Sequence, residues 1–296
     1  MKKILITGGS GLIGKALTAH LQQHGYEVAW LSRKPKKHKQ ESFFWDVEKF
    51  TIADEALLWC DAVIHLAGAG VADRRWTEKR KKQILESRTQ SSRLLFEAIQ
   101  KLDRRPKVFV SASAVGFYGF DTGTQTIHEE SPRGNDFLSE VVVKWEEEVL
   151  SIQTLGVRTV LLRTGTVLDK DGGALREMLK PPVAAPLGSG KQYMSWIHLQ
   201  DLVAMYHFAL HHPLSGIYNA VAPHPVTNKQ LTELAAKGKG KPFVPVPVPG
   251  FLLKAVLGEM AHMVIGGSKI SSRKIENEGF NFEYPFVKEA LKDIYK

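Results

Sequence analysis

Cysteine is all but missing from this chain: Cys60 is the only one in 296 residues. That excludes an internal disulfide framework and fits a reducing, cytoplasmic setting. Its neighbours Leu57, Leu58 and Trp59 mark it as a packed, inert thiol. No apolar run is long enough to cross a bilayer, so no membrane partner is expected. The first residues enter an apolar strand without the charged, apolar and small-residue series of a secretory signal. Gly-x-Ser-x-Gly is absent, and Gly188-Ser189-Gly190 is no substitute, which argues against hydrolase chemistry of that type. No His/Cys/Asp/Glu cluster is read at metal-ligand spacing, so no metal is expected. Internal repeats and low-complexity segments are also missing.

Acidic charge is in short supply. The formal net charge is +9, with five basic residues between Arg33 and Lys39 and six between Arg74 and Lys82. Neither run is interleaved with aromatics as in a single-strand platform, and no nucleic-acid motif is present. The basic surface is read as solvated faces plus attraction for an anionic cofactor, with no nucleic-acid partner.

What the chain does have is Thr7-Gly8-Gly9-Ser10-Gly11-Leu12-Ile13-Gly14, directly after the apolar Ile4-Leu5-Ile6. Gly8, Gly11 and Gly14 fall at a strand-to-helix turn. Such a turn needs positions that tolerate positive φ, bare backbone N–H groups for a diphosphate, and a positive helix start facing it. The third glycine is expected to let the helix pack close on the strand. Gly8, Gly11, Leu12, Ile13 and Gly14 are therefore assigned to a dinucleotide cofactor. In a doubly wound sheet an acid at the tip of the second strand binds the ribose 2′-hydroxyl, whereas arginine or lysine accommodates a 2′-phosphate. Here Glu27 to Leu31 is followed by Ser32-Arg33-Lys34, with no acid until Glu41. Arg33 and Lys34 thus point to NADP rather than NAD. Asp46 and Val47, ending the strand from Phe43, are placed at the adenine pocket. Leu66, Ala67 and Gly68, ending the strand from Asp61, are placed where backbone can approach the cofactor.

Strands are further expected at Lys107–Ala112, Val157–Leu162 and Gly216–Ala220, with helices at Leu12–His24, Thr77–Leu102 and Phe137–Leu155. This alternation predicts an α/β fold: a Rossmann-type doubly wound parallel sheet. Residues 1–164 are read as the nucleotide-binding domain, with strands also contributed from the later chain, and 165–296 as a smaller substrate lobe. In that lobe Asp201 is expected to cap a helix to His212, and Thr227 one to Ala236. Phe243 to Pro249 alternates valine with proline and suits an extended connection. Phe251 to Val264 reads as one apolar helix, which either roofs a pocket or forms a homodimer surface.

The TGGSGLIG turn, His65-Leu66-Ala67-Gly68 and the segment SASAVGFYG resemble the extended short-chain dehydrogenase/reductase superfamily. More closely, Arg75-Trp76-Thr77, Ser87-Arg88, Asp136-Phe137-Leu138, Trp145-Glu146 and Glu278-Gly279-Phe280-Asn281-Phe282-Glu283-Tyr284-Pro285 resemble its YfcH-like atypical branch of NAD(P)-dependent epimerase/dehydratase proteins. The resemblance spans the whole chain. It implies nicotinamide-nucleotide binding, includes Arg88 in the cofactor set, and leaves the substrate unassigned.

The superfamily's usual serine has a counterpart in Ser113. Its Tyr-x-x-x-Lys pair does not: spacing puts the slots near Leu138 or Ser139 and Val142 or Val143. No tyrosine occurs between Tyr118 and Tyr193, and Tyr284 to Lys288 lies far past the sheet. Tyr118 and Glu140 are nominated as substitute catalytic groups and His198 as a substrate contact, each set against a purely structural role. Two readings follow. One is an NADP-binding oxidoreductase or epimerase acting on a small polar, nucleotide-sugar-like substrate. The other is an NADPH-binding regulatory or redox-sensing protein with little catalysis.

Overall fold

The computed structural model describes residues 1–35 and 40–296, so the latter part of the first basic run lies outside the described residues. Eight strands form one sheet. They are β1 (Lys3–Thr7), β2 (Glu27–Ser32), β3 (Ser42–Asp46), β4 (Thr51–Ile52), β5 (Ala62–His65), β6 (Val108–Ala114), β8 (Arg158–Thr164) and β12 (Gly216–Ala220). Between these, β7 (Thr126–Ile127), β9 (Thr166–Leu168), β10 (Tyr193–Met194) and β11 (Trp196–His198) are short, as are β13 (Val226–Thr227) and β14 (Lys269–Ile270) after them. The spatial order is β12-β8-β6-β5-β1-β2-β3-β4. All pairings are parallel except that of β3 with the edge strand β4. The chain runs outward from β1 through β2 and β3, then restarts on the other side at β5. The crevice at that reversal is where open α/β sheets bind ligands.

Strand periodicity divides the core into two layers. Ile4, Ile6, Val28, Ile64, Val110 and Leu162 point to one face, where they meet Leu17 and Leu21 of α1 (Leu12–Gln23) and the apolar side of a later helix, Leu199–His211. Leu5, Ala29, Val63, Phe109 and Leu161 point to the other. There they meet α2 (Asp54–Trp59), α3 (Glu78–Gln100) and α4 (Phe137–Leu150). A sheet covered on both faces needs strands that are apolar at consecutive positions, as these are. Cys60 is buried in this second layer, and its thiol is pushed up to about 12 by burial and by the neighbouring Asp61 carboxylate.

The chain after Thr164 adds α5 (Gly173–Met178), α6 (Leu199–His211), α7 (Asn228–Gly238), α8 (Gly250–Leu257), α9 (His262–Ile265), α10 (Arg273–Asn277) and α11 (Val287–Ile294). A third apolar cluster joins α5, α7 and α11 through Leu175, Leu231, Ala235 and Leu291. Thr227 and Gln230 close a capping box at the start of α7, as its sequence requires.

Three expectations are corrected here. The apolar helix from Phe251 to Val264 is broken into α8 and α9 by a turn at Gly258, whose φ is +63°. Residue 201 does not cap α6: His198 does, its Nδ1 accepting from Gln200 N at 3.2 Å. Asp201 instead accepts the backbone N–H groups of Glu283 (2.8 Å) and Tyr284 (3.1 Å). Finally, metal-ligand spacing does occur. His20 on α1 and His24 just after it, and His207 and His211 on α6, repeat four apart, and packing of α1 on α6 gathers His20, His24 and His207. Burial and neighbouring imidazoles push His207 down to about 4.

The tie at Asp201 explains the closing aromatic motif. Phe280 is buried in the α6 layer and packs edge-on to Phe208 and Phe282, while Gly279 supplies a φ of +94°. Asp201→Ala would orphan two backbone donors. We expect a loss of roughly 2–4 kcal/mol in chemical denaturation, with faster amide exchange at Glu283 and Tyr284. Unchanged exchange there would rule out the tether.

Candidate functional site

The glycine turn is held by three separate close approaches. Gly8 has φ +69° and lies where a Cβ would come within 3.0 Å of the Leu66 carbonyl. A Cβ at Gly9 would enter the Trp30 ring at 2.4 Å. One at Gly14 would lie 2.5 Å from Gly8 O and 2.6 Å from Gly9 Cα. Gly14 therefore packs against the turn itself, not against the strand as expected. Gly11 N donates to Gly8 O at 3.0 Å, and Gly11 precedes α1 with no side-chain cap. The first N–H groups of α1, from Leu12 and Ile13 on, thus face the crevice, while the side chains of Leu12 and Ile13 pack on the core.

Across the crevice the tip of β5 is pinned to β1. Thr7 Oγ1 accepts from Leu66 N and Ala67 N, both at 3.0 Å, and lies 2.7 Å from His65 Nδ1. With both lone pairs used, the threonine hydroxyl donates to Nδ1. The ring proton is therefore on Nε2, which faces the hydroxyls of Ser92 at 3.2 Å and Ser91 at 3.3 Å. Those serines in turn donate to the Arg88 carbonyl. His65 is fully buried, and burial plus the Arg88 charge push it down to about 3.

Leu66, Ala67 and Gly68 then line a groove shared with Gly8, Gly11, Asp46 and the exposed Arg33 and Lys34. Asp46 uses one carboxylate oxygen to accept Glu48 N and Lys49 N. Val47 lines the adjoining hollow under α3. Arg88 lies beneath Gly68, where a Cβ would be 3.1 Å from its guanidinium carbon. It donates to the carbonyls of Ala69 and Ile84, each at 3.0 Å, and sits over Trp145. Burial and Arg80 push its pKa down to about 10. Among the described residues no carboxylate is paired with it, and this cation rests on backbone carbonyls and the Trp145 ring.

Arg88 also lines a separate cavity of about 400 Å³ over the tips of β6 and β8. Leu138 and Val142 of α4 both border it. Each is one of the two positions that spacing allows for the tyrosine or the lysine, Ser139 and Val143 being the others. The nearby Lys144 points elsewhere, 2.7 Å from Glu140 Oε1 on an exposed face. Glu140 is held below the usual carboxylate range by that hydrogen bond.

None of the four nominated catalytic or substrate residues borders this cavity. Ser113 donates to Glu146 Oε1 at 2.5 Å, and Glu146 is clasped by Arg163 through two 2.8 Å hydrogen bonds. Arg163 also donates to Tyr118 Oη at 2.9 Å, and Tyr118 donates to Asn219 Oδ1 at 2.7 Å. Burial pushes Tyr118 up to about 12. The Arg163 guanidinium lies 3.4 Å from the Phe117 ring centre. His198 is buried under Tyr284, its ring centre 4.1 Å away, and burial lowers its pKa. Ser113 and Tyr118 are thus parts of a buried scaffold, Glu140 is a surface ion pair, and His198 is a helix cap.

Sequence reasoning missed Glu146 and Arg163, whose signal was two opposite charges at otherwise apolar element positions. It also missed Tyr193, the tyrosine that does line the cavity, with Lys269 Nζ 5.8 Å from its ring centre. The Arg75-Trp76-Thr77 motif proves to be a clasp. Arg75 donates to Ala255 O at 2.9 Å, Trp76 donates to Val71 O, and Thr77 caps α3. The neighbouring Lys81 pairs with Glu259 at 2.6 Å.

His65 yields a pH test. Its folded pKa lies below the unfolded value of 6.5. As pH falls from 6.5 toward 3, only the unfolded chain takes up the proton, so stability drops with the slope of one bound proton. His65→Gln should remove that increment from the slope in denaturant titrations. Equal slopes in both proteins would contradict a buried neutral imidazole.

A profile described as the NAD dependent epimerase/dehydratase family matches residues 4–220, and one described as a domain of unknown function (DUF1731) matches 248–294. Epimerase family protein SDR39U1 of Mus musculus is 34% identical, over 99% of both chains. Epimerase family protein YfhF of Bacillus subtilis is 35% identical, over 98% of this chain and 97% of its own. The crystal structure of human epimerase family protein SDR39U1 (isoform 2) with NADPH has a TM-score of 0.88 at 33% identity, covering 99% of both chains. UDP-N-acetylglucosamine 4-epimerase from Bacillus cereus shares the fold, with a TM-score of 0.80 at 17% identity, covering 100% of this chain and 98% of its own.

Proposed function

We propose that this chain, which belongs to the NAD dependent epimerase/dehydratase family, binds NADP(H) and acts as an oxidoreductase or epimerase on a small polar substrate, of nucleotide-sugar type. The observation that carries this is the pairing of a groove at the bare α1 start with a cavity over the tips of β6 and β8, Arg88 lying beneath Gly68 of the one and lining the other. The residues present fit a dinucleotide: Gly8 and Gly11 line the groove without side chains, and Arg33 and Lys34 stand at its edge. When bound, the nicotinamide supplies hydride exchange.

The roles of the chain's own residues follow from their positions. The N–H groups at the start of α1 hold the diphosphate. Arg33 and Lys34 meet a ribose 2′-phosphate, while Leu66, Ala67 and Gly68 approach the cofactor through backbone. Arg88, lacking a carboxylate, offers its charge to an anionic ligand. Leu138 and Val142 exclude water from the cavity. Residues 165–296 act as the substrate lobe and supply the other wall, including Tyr193, Ser195 and Ser268. We assign proton transfer to Tyr193, the tyrosine that borders the cavity. The NADPH bound to the human relative supports the cofactor choice.

Binding and turnover test separate parts of this reading. NADPH should raise the melting temperature more than NADH at equal concentration. Replacing Arg33 and Lys34 together by alanine should weaken NADPH about 10- to 100-fold and leave NADH nearly unchanged. Equal affinities in the unaltered protein would remove the NADP preference.

For chemistry, NADPH absorbance can be followed with a panel of carbonyl compounds and sugar nucleotides. Tyr193→Phe should lower kcat by about 100-fold or more without changing NADPH affinity. A specific observation favours the alternative of an NADPH-binding sensor: neither relay slot holds its tyrosine or lysine, and the Ser113 and Tyr118 hydroxyls are sequestered. Tight NADPH binding with no turnover across the panel would select that alternative.

A further inference from the structure

The outer face of the α1–α6 pair carries a group of imidazoles that the cofactor groove does not use. His20 and His24 stand one turn apart on and just after α1, and His207 faces them from α6. Their ring centres are mutually 4.3, 4.8 and 5.1 Å apart. One ligand-capable nitrogen from each lies within 4.8 Å of the other two. His20 Nε2 and His207 Nδ1 are already 3.0 Å apart. Two nitrogens on a tetrahedral cation with bonds of about 2.0 Å sit roughly 3.3 Å apart, so this edge is close to its final length. His24 Nδ1 bonds the His20 carbonyl at 2.8 Å, which fixes that ring and leaves Nε2 as a donor. Backbone contacts of this kind orient metal-bound histidines.

We propose that His20, His24 and His207 form a binding site for a borderline divalent cation such as Zn²⁺ or Ni²⁺. The donor set names the class. Three imidazoles without a carboxylate suit zinc, nickel or copper and do not suit Mg²⁺ or Ca²⁺, which take oxygen ligands. The His20–His207 hydrogen bond now holds one ring proton between the two nitrogens. Cation binding replaces it, and that proton moves to the ring's other nitrogen, so two lone pairs face the ion with no net proton released. The exposed side of His24 leaves a fourth position for water. His211 stands outside this set, since its Nε2 is bonded to the Tyr26 hydroxyl. The site lies roughly 12 Å along α1 from its glycine-rich start, and it would staple α1 to α6 rather than take part in turnover.

The test uses the tag-free full chain. Isothermal titration with Zn²⁺ should give one site per chain, and Zn²⁺ should raise the melting temperature where Mg²⁺ at the same concentration does not. His24→Ala, on an exposed residue, and His207→Gln should each weaken Zn²⁺ by at least about tenfold. His212→Ala, whose ring stacks on Phe208 outside the trio, should leave affinity unchanged. If His207→Gln fails to fold, His24→Ala alone decides the matter. Equal Zn²⁺ affinity in the unaltered chain and His24→Ala, or no heat of binding at all, would overturn the site.

Discussion

One hydroxyl sets the spacing on which the nucleotide groove depends. Thr7 Oγ1 holds the first two backbone N–H groups beyond β5 and donates to a buried neutral histidine beneath them. The sheet changes direction at this point, and neighbouring strand tips would otherwise splay. With the tips pinned, Gly8 can lie against the Leu66 carbonyl and Gly14 against Gly8, and α1 starts with its amide groups aimed into the gap. Serines of α3 complete the arrangement, so the same bonds also fix the helix that carries Arg88. A neutral imidazole suits this better than a charged one, because a cation buried at that depth would need a partner that the strands do not supply.

A second buried polar unit ties α4 to the tip of β8. Glu146 and Arg163 are paired in bidentate geometry with almost no exposure. Ser113, Tyr118 and the Glu129 carbonyl satisfy their remaining positions, and Asn219 in turn accepts from Tyr118. Removing either charge would strand the other, a loss typically of about 3–5 kcal/mol. Such a unit rigidifies the floor of the cavity while withdrawing its hydroxyls from any ligand. The polar residues lining the cavity are Arg88, Thr164 and Thr166 on the sheet side and Tyr193, Ser195 and Ser268 on the opposite wall.

The nucleotide half was legible because its devices are local. A glycine at each third position, a strand before and a helix after, and missing acid beyond β2 all lie within a few dozen residues. The parallel sheet could be anticipated from alternation alone, and β12 matched residue for residue. The cavity was less legible because its walls come from distant parts of the chain. Ser113 and Tyr118 look like free hydroxyls in sequence, and only the fold reveals that Glu146 and Arg163 engage them. Asp201 had the spacing of a cap, yet the demand of two distant N–H groups outweighed that local preference. The histidine pairs were visible as two four-residue repeats. Their convergence needed the packing of α1 against α6, which no local pattern encodes.

The position of β12 has a consequence for how the protein is made. This strand edges the main sheet beside β8, and Phe280 fills the layer beneath α6. A ribosome must therefore release most of the chain before the nucleotide-binding sheet can be covered. Until then β8 presents an unpaired parallel edge and the α1 side of the sheet stays partly bare. The nascent chain meets its greatest exposure to aggregation and chaperone capture during this interval. Parallel pairing across so many intervening residues is also slow to form. The tie from Asp201 to the Glu283–Tyr284 backbone is thus a closing step of synthesis, latching a sheet whose ligand-binding strands were translated first.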